Sequence, residues 1–191
     1  MSARLVLAAV LVCGLLAGCG NSRTPVPSLS SPQPPQGFQL LSYPAVAIAL
    51  RAPRNWSVTP ERAPLVATIG SGAAVVALWR FPRSSPPPTG TTLAGAGARL
   101  LAQARARDPG LRLIRSQTEA IDHAPAIELD ALEQINGQLR RIRSIHVFVT
   151  GAELVLEQYA PPAIFHAIDH AVFSPVKRSL RLSPVAPGPG A

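Results

Sequence analysis

The dipeptide Asn136-Gly137 constrains the fold of this chain more than any other feature, because it separates two long runs of strand-forming residues. Asn-Gly is the strongest short signal for a two-residue hairpin turn, which needs positive φ at both central positions. The flanking runs, residues 126–135 and 138–150, are therefore predicted to pair as antiparallel strands.

This hairpin also accounts for the cluster Arg140, Arg141 and Arg143. The two-residue turn sets a register in which Glu133 faces Arg140 and Asp130 faces Arg143. Opposite charges that face each other across a sheet stabilise it by ~0.2–1 kcal/mol per pair. We interpret the cluster as cross-strand charge balance, with a basic binding patch as the alternative.

Further strand signals surround one long helical signal. The predicted strands are residues 43–50, 65–69, 73–81, 111–121 and 153–159. Residues 91–107 change to a helical period, with Thr91 or Thr92 as the cap. A second helix is predicted over 163–173; Pro175 stops or kinks it before a further helical turn through Leu180. This order predicts an α+β fold, a largely antiparallel sheet of about six to seven strands packed with two main helices.

The first residues predict export. Arg4 is the only charge among residues 1–22, and it precedes the apolar run 5–17. That run is shorter than the ~20 residues that a membrane-spanning helix needs. A charged start followed by a short apolar run is typical of a secretory signal peptide, here residues 1–18.

The predicted cleavage site is the most specific motif of the chain. Leu16, Ala17, Gly18 and Cys19 resemble the lipobox of bacterial lipoproteins, in which the cysteine after the cut carries a diacylglycerol. The resemblance implies that Cys19 is the lipidated N-terminus; an ordinary secretory peptide is the alternative. Two or more acyl chains hold a protein stably on a membrane. We therefore expect a protein anchored by lipid to the extracytoplasmic face of the cell membrane.

Proline marks the predicted borders of the folded part. Residues 19–40 combine five prolines with Ser, Gln and Gly and are predicted to form a disordered tether. Residues 183–191 contain three prolines and are predicted to be a disordered tail. One folded domain remains, residues 41–182.

The charge balance bears on the partners of that domain. The chain has 18 Lys and Arg against 10 Asp and Glu. A basic domain beside a membrane is attracted to anionic lipid headgroups and polyanionic envelope polymers. We expect such a polymer, a lipid ligand or an envelope protein as partner. Export argues against nucleic acid.

A metal site is considered and not predicted. His166 and His170 have the i, i+4 spacing at which two histidines on a helix share a zinc ion. Asp169 stands where the related motif has its glutamate, and no acidic residue or histidine follows His170. A third ligand from Glu153, Glu157 or His146 stays open.

No catalytic residue and no cofactor is predicted. Ser71, between Gly70 and Gly72, does not stand in the G-x-S-x-G sequence of a nucleophile elbow. Trp56 and Trp79 are assigned to the core, because each large aromatic ring buries ~150–250 Å². A groove between helix and sheet is the default position for a small apolar ligand.

The chain resembles the PsbP-like family, which includes the LpqN-type lipoproteins of actinobacteria. The shared features are a first strand that ends in 53–56 (Pro-Arg-Asn-Trp), a central helix before a four-strand meander, a turn at 123–125 and a closing helix near Phe165 and Phe173. The resemblance covers residues 41–182. It implies the family fold and an accessory or binding role, and it implies no catalytic residues.

These observations predict a non-catalytic binding or accessory protein of the cell envelope. The alternatives are a carrier of a small apolar or lipid ligand and, less favoured, an envelope hydrolase or metal-dependent enzyme.

Overall fold

The predicted hairpin lies within a seven-stranded antiparallel sheet. The computed structural model describes residue 25 and residues 27–182. Its elements are β1 (Phe38–Tyr43), β2 (Ile48–Pro53), β3 (Ser57–Pro60), β4 (Leu65–Ser71), β5 (Ala74–Pro82), α1 (Gly90–Arg107), β6 (Arg112–Ile121), β7 (Ala124–Ile135), β8 (Gln138–Val149), β9 (Ala152–Ala160), α2 (Pro162–Ile168), α3 (Ser174–Ser179) and β10 (Arg181–Leu182). The large sheet has the order β3-β4-β5-β9-β8-β7-β6, and a small sheet has the order β1-β2-β10. This α+β architecture confirms the predicted fold class.

The turn between β7 and β8 has the geometry that its sequence requires. Asn136 and Gly137 have φ values of 49° and 74°. Glu133 pairs with Arg140 and Asp130 with Arg143 in the backbone register. The predicted register is therefore confirmed.

The single strand predicted over 43–50 is wrong. Pro44 instead begins a 3₁₀ turn, Pro44–Val46, and Ala47 has a left-handed φ of 57°. Proline has no N–H to donate to a sheet, so the chain reverses here and β1 pairs with β2. The sequence pattern also missed β3 and β10, which have only four and two residues.

The large sheet is covered on both faces. One face, the C-terminal face, packs against the small sheet and the C-terminal helices through a core that includes Leu78, Ile145 and Phe173. The other face, the α1 face, packs against α1 through smaller clusters that include Ala96 and Ile127. Only Ala96 and Ala104 of the 18 residues of α1 are buried. The helix thus lies on the sheet with small side chains towards it.

The cap of α1 is Thr89, and not Thr91 or Thr92 as predicted. The Thr89 N–H donates to the side chain of Thr92 at 2.9 Å, which satisfies one of the free donors of the first turn. The helix therefore begins at Gly90, two residues after Pro88, the last proline of the preceding loop.

The C-terminal helix continues past Pro175 into the further turn that the sequence predicted. A π-helical turn, Asp169–Phe173, joins α2 to α3, and the Ser174 N–H donates to the Asp169 carbonyl. Proline cannot donate the next helical hydrogen bond, and a wider turn is one way in which a helix accommodates that loss.

The border between tether and domain was predicted at residues 40–41, which is too far along the chain. β1 begins at Phe38, and hydrogen bonds tie the segment before it to the domain. These bonds run from the Tyr159 hydroxyl to the Pro25 carbonyl, from Ala73 N–H to the Ser30 carbonyl at 2.8 Å, and from Trp56 Nε1 to the Gln33 carbonyl at 3.1 Å. Gly72, with φ of 53°, lets the Ser30 and Ser31 backbone approach where a Cβ would clash. The predicted signal peptide, the lipobox, Cys19 and the tail 183–191 lie outside the described residues.

Candidate functional site

Most acidic side chains of this domain are buried or half-buried, whereas most of its arginines are exposed. Only two of the ten carboxylates, Glu61 and Asp122, are exposed, whereas ten arginines are. The exposed arginines are Arg51, Arg54, Arg62, Arg99, Arg105, Arg107, Arg112, Arg115, Arg178 and Arg181. The exposed charge of the described residues is therefore strongly basic, with ten arginines against two carboxylates.

One group of carboxylates forms a buried charge network on the C-terminal face. Glu128 is 1% exposed. It accepts hydrogen bonds from Lys177 at 2.5 Å and from Arg115 at 2.6 Å. Asp130, 2% exposed, accepts two hydrogen bonds from Arg141. Glu128 of β7 thus connects the sheet to the C-terminal helix through Lys177.

The arginines of the hairpin do not pair with the acidic residues directly opposite them; Arg141 pairs diagonally across the strands with Asp130. Arg143 binds Asp169 through two hydrogen bonds of 2.6 and 2.9 Å, and its predicted partner Asp130 binds Arg141. Arg140 donates to Gln138 instead of Glu133. Arg143 and Ser174 lower the pKa of Asp169 more than its burial raises it. The predicted ion pairs are therefore wrong, although the register is right.

A second group of polar residues lines a cleft between α1 and the sheet, here called the α1 cleft. Its walls are leucine, isoleucine and alanine side chains, and its polar lining consists of Arg107, Glu133, Ser144, His146 and Glu157. The cleft has a cavity volume of about 30 Å³. A cavity of this size holds a water molecule or two, whereas sites for small molecules have ~300–1,000 Å³.

Four side chains form a hydrogen-bonded relay that ends at the α1 cleft. Arg83 donates to Glu153 at 3.3 Å, Glu153 is bonded to His146 Nδ1 at 2.7 Å, and His146 Nε2 to Ser144 Oγ at 3.0 Å. Although burial acts to raise it, the pKa of Glu153 is lowered by His146 and Arg83. An ionised carboxylate therefore orients the imidazole.

Glu157 lies opposite Ser144 in the sheet and accepts a hydrogen bond from Trp79 Nε1 at 3.0 Å. Burial raises the pKa of Glu157 to about 7, and the Trp79 hydrogen bond opposes that shift. Burial also raises the pKa of Glu133, against the charge of Arg107. The cleft therefore holds two carboxyl groups whose pKa is raised by burial, near Glu153, whose pKa is lowered.

The order Ser144, His146, Glu153 has the connectivity of a hydrolase triad, but its setting does not suit acyl transfer. Such a reaction needs hydrogen-bond donors beside the nucleophile to stabilise an oxyanion. Ser144 lies in the middle of β8, paired with β7 and with β9, so the sheet uses the backbone N–H groups around it. The cleft also has room for water and not for an ester substrate.

Sequence reasoning missed the relay, because its members are distant along the chain and share only a sheet face. The i, i+2 spacing of Ser144 and His146 on a predicted strand was the one available signal.

The residues singled out for metal binding are not brought together. Asp169 binds Arg143, and His166 and His170 are exposed. Within residues 27–182, no three histidine, cysteine or acidic side chains lie close enough to hold a metal ion. Trp56 and Trp79 are buried, as predicted, and each indole N–H has a hydrogen-bond acceptor. No helix in the described residues is long and apolar enough to cross a bilayer.

Glu157→Gln tests the charge state of the α1 cleft. Between pH 4.5 and about 7 the folded state holds a proton on Glu157 that the unfolded state has released, so this group makes stability fall as pH rises through that window. We expect the variant to match the wild type near pH 4.5 and to be about 1–3 kcal/mol more stable near pH 8, measured by urea unfolding.

Glu153→Gln is the matched control on the same strand. Because its folded-state pKa is lowered, Glu153 contributes stability above its unfolded pKa, so this variant is expected to be less stable near pH 8. Parallel pH profiles for the wild type and Glu157→Gln would contradict the assignment.

Comparison with known proteins identifies the fold. No family model and no curated protein matches the chain. Among solved structures it is similar to the PsbP protein CyanoP of Synechocystis sp. PCC 6803, with a TM-score of 0.59 and 13% identity over 88% of this chain and 99% of that one. It is also similar to a Pseudomonas aeruginosa protein of unknown function, with a TM-score of 0.52 and 20% identity over 77% and 98% of the two chains.

A further similar structure is LpqN of Mycobacterium tuberculosis, described as involved in cell envelope biogenesis. Its TM-score is 0.47, with 18% identity over 72% of this chain and 83% of that one. The chain has the PsbP-like fold.

Proposed function

We propose that this protein is a lipid-anchored accessory protein on the extracytoplasmic face of the cell membrane, where it binds an envelope component without catalysing a reaction. The observation that carries the proposal is the sequence from Leu16 to Cys19, which places a cysteine directly after a predicted signal peptide. Two or more acyl chains on that cysteine give stable membrane association.

The length of the free link supports a position close to the bilayer. Residues 27–37 lie against the domain and Pro25 is bonded to Tyr159, so only the stretch from Cys19 to Pro25 separates the predicted lipid from the domain. At ~3.3–3.6 Å per residue that stretch spans at most about 20 Å. The full length of the predicted tether would have allowed roughly three times that distance.

The α1 cleft favours binding of an external partner over carriage of an apolar molecule. A cavity of about 30 Å³ cannot enclose a lipid chain while α1 lies where it does. The carrier alternative would use the open groove of about 500 Å³ between α1 and β6, or require α1 to move away from the sheet, and it predicts lipid in a natively purified sample.

Cys19→Ala tests the anchor. Without the thiol no thioether to diacylglycerol forms, so we expect unprocessed precursor and loss of the lipid-bearing form, measured by detergent phase partition and immunoblot. Cys13→Ala is the matched control, since Cys13 lies within the predicted signal peptide and is expected to have no effect. Normal maturation and detergent-phase partition of Cys19→Ala would contradict the proposal.

A further inference from the structure

One end of the domain, here called the proximal end, lies next to the predicted anchor. It is formed by the β4–β5 turn, the β7–β8 turn and the connection between α1 and β6. The described chain begins there: Pro25 is bonded to Tyr159 near the end of β9, and Ser30 to Ala73 at the β4–β5 turn.

The proximal end carries most of the exposed large apolar side chains. Leu29 is 73% exposed beside the β4–β5 turn, Leu139 is 46% exposed beside the β7–β8 turn, and Ile114 is 49% exposed near the start of β6. Among the described residues, one other large apolar side chain is comparably exposed, Leu40 in the small sheet at 68%. Leucines that project from turns leave water at little cost when they enter the interfacial region of a bilayer.

The proximal end is also basic. Arg105 and Arg107 end α1 and Arg112 begins β6; all three are exposed, and within the described residues none has a carboxylate within salt-bridge distance. The two exposed carboxylates lie away from it: Asp122 follows β6 at the opposite end, and Glu61 follows β3, which begins near the proximal end and runs away from it.

We propose that the proximal end docks on the anionic surface of the lipid bilayer, with Leu29 and Leu139 in the interfacial region and the three arginines against lipid phosphates. The inference rests on the proposed anchor for its setting, because a link of at most about 20 Å keeps this end within reach of the headgroups. Docking would hold the domain in one fixed orientation relative to the membrane.

Binding of unacylated protein to vesicles tests the docking separately from the anchor. The chain from residue 20 onward keeps every described residue and lacks both the signal peptide and Cys19. We expect it to bind vesicles with about 30% phosphatidylglycerol and not vesicles of phosphatidylcholine alone, and salt to weaken the binding. Arg105→Gln with Arg112→Gln is expected to weaken it about 25-fold, since each arginine at an anionic surface contributes about fivefold.

Matched variants at the other side of the domain distinguish docking by this end from a general effect of charge. Arg51 and Arg178 are exposed, lie beside Ser179 at the far end of the C-terminal helix, and have no salt bridge within the described residues. Changing both to Gln removes the same charge, and we expect less than a threefold effect. An equal loss from both pairs, or no preference of the unaltered chain for phosphatidylglycerol, would overturn the proposal.

A fluorescence measurement covers the case in which unacylated binding is too weak to titrate. In acylated full-length protein on vesicles with brominated lipids, a tryptophan from Leu139→Trp is expected to be quenched, and one from Leu40→Trp is not. The native Trp56 and Trp79 are buried and give a constant background. Equal quenching at both positions would overturn the docking and leave the anchor intact. If protein taken from cells carries no lipid and the domain still docks on vesicles, the proposed anchor is wrong and the docking proposal stands.

Discussion

Glu128→Ala is expected to destabilise the domain by about 3–5 kcal/mol, because it removes the buried centre of a charge network and leaves cations without their partner. Glu128 is 1% exposed and accepts hydrogen bonds from Lys177, Arg115 and Gln117. For a domain of this size the loss corresponds to a fall in melting temperature on the order of 10 °C. Urea unfolding at neutral pH and thermal scans measure it.

Two comparisons show whether the effect comes from the network. Glu61→Ala removes an exposed carboxylate and is expected to change stability by less than about 0.5 kcal/mol. The double variant Glu128→Ala with Lys177→Met is expected to lose less free energy of unfolding than the two single variants together. The difference should be about 1–3 kcal/mol, because the two side chains are in contact. Additive single effects would show that the two charges do not stabilise each other.

Phe165→Ala is expected to lower the free energy of unfolding by about 3–5 kcal/mol, as is typical of the loss of a fully buried aromatic ring. Phe165 is 1% exposed, packs on Phe173 with ring centroids 5.5 Å apart, and lies under the guanidinium of Arg141 at 4.6 Å. The ring therefore joins the apolar core to the charge network where α2 meets the sheet. Loss of the ring therefore weakens both the apolar core and the charge network. Equilibrium unfolding in urea measures the effect.

Phe165→Leu separates the two contributions of this ring. Leucine keeps an apolar side chain in the core and removes the aromatic face that contacts Arg141, Arg143 and Phe173, so we expect a smaller loss of about 1–2 kcal/mol. Phe81→Ala is the control for a half-buried ring, which stacks on Trp79 in a separate cluster. If Phe81→Ala costs as much as Phe165→Ala, the assigned position of α2 on the sheet is wrong.

The sequence predicted the elements that follow from local rules. The Asn136-Gly137 turn, the register of β7 with β8 and the helical stripe of α1 depend on neighbouring residues, and the structure confirms each. Local rules failed where a short element depends on distant partners. β10 has two residues and exists because β2 lies beside it. The chain before Phe38 is held by hydrogen bonds to the β4–β5 turn, to Trp56 and to Tyr159 of β9.

The charge arrangement could not be predicted from alternation alone. Each face of the large sheet is covered by a different layer. In the alternating pattern of β7, Glu128 and Asp130 therefore look like solvent-facing positions until the C-terminal helix is placed above them. Lys177 lies 49 residues from Glu128 along the chain. The relay in the α1 cleft was missed for the same reason, because Arg83 and Glu153 meet His146 only through the strand order β5-β9-β8.

The most direct test of the account is the intact mass of the protein extracted with detergent from its native membrane. We predict the mass of a chain that begins at Cys19 and carries a diacylglyceryl group, with the modification located on the N-terminal peptide by fragmentation. A chain that begins at any other residue, or one that begins at Cys19 without acyl groups, would contradict the proposed anchor and the membrane role derived from it.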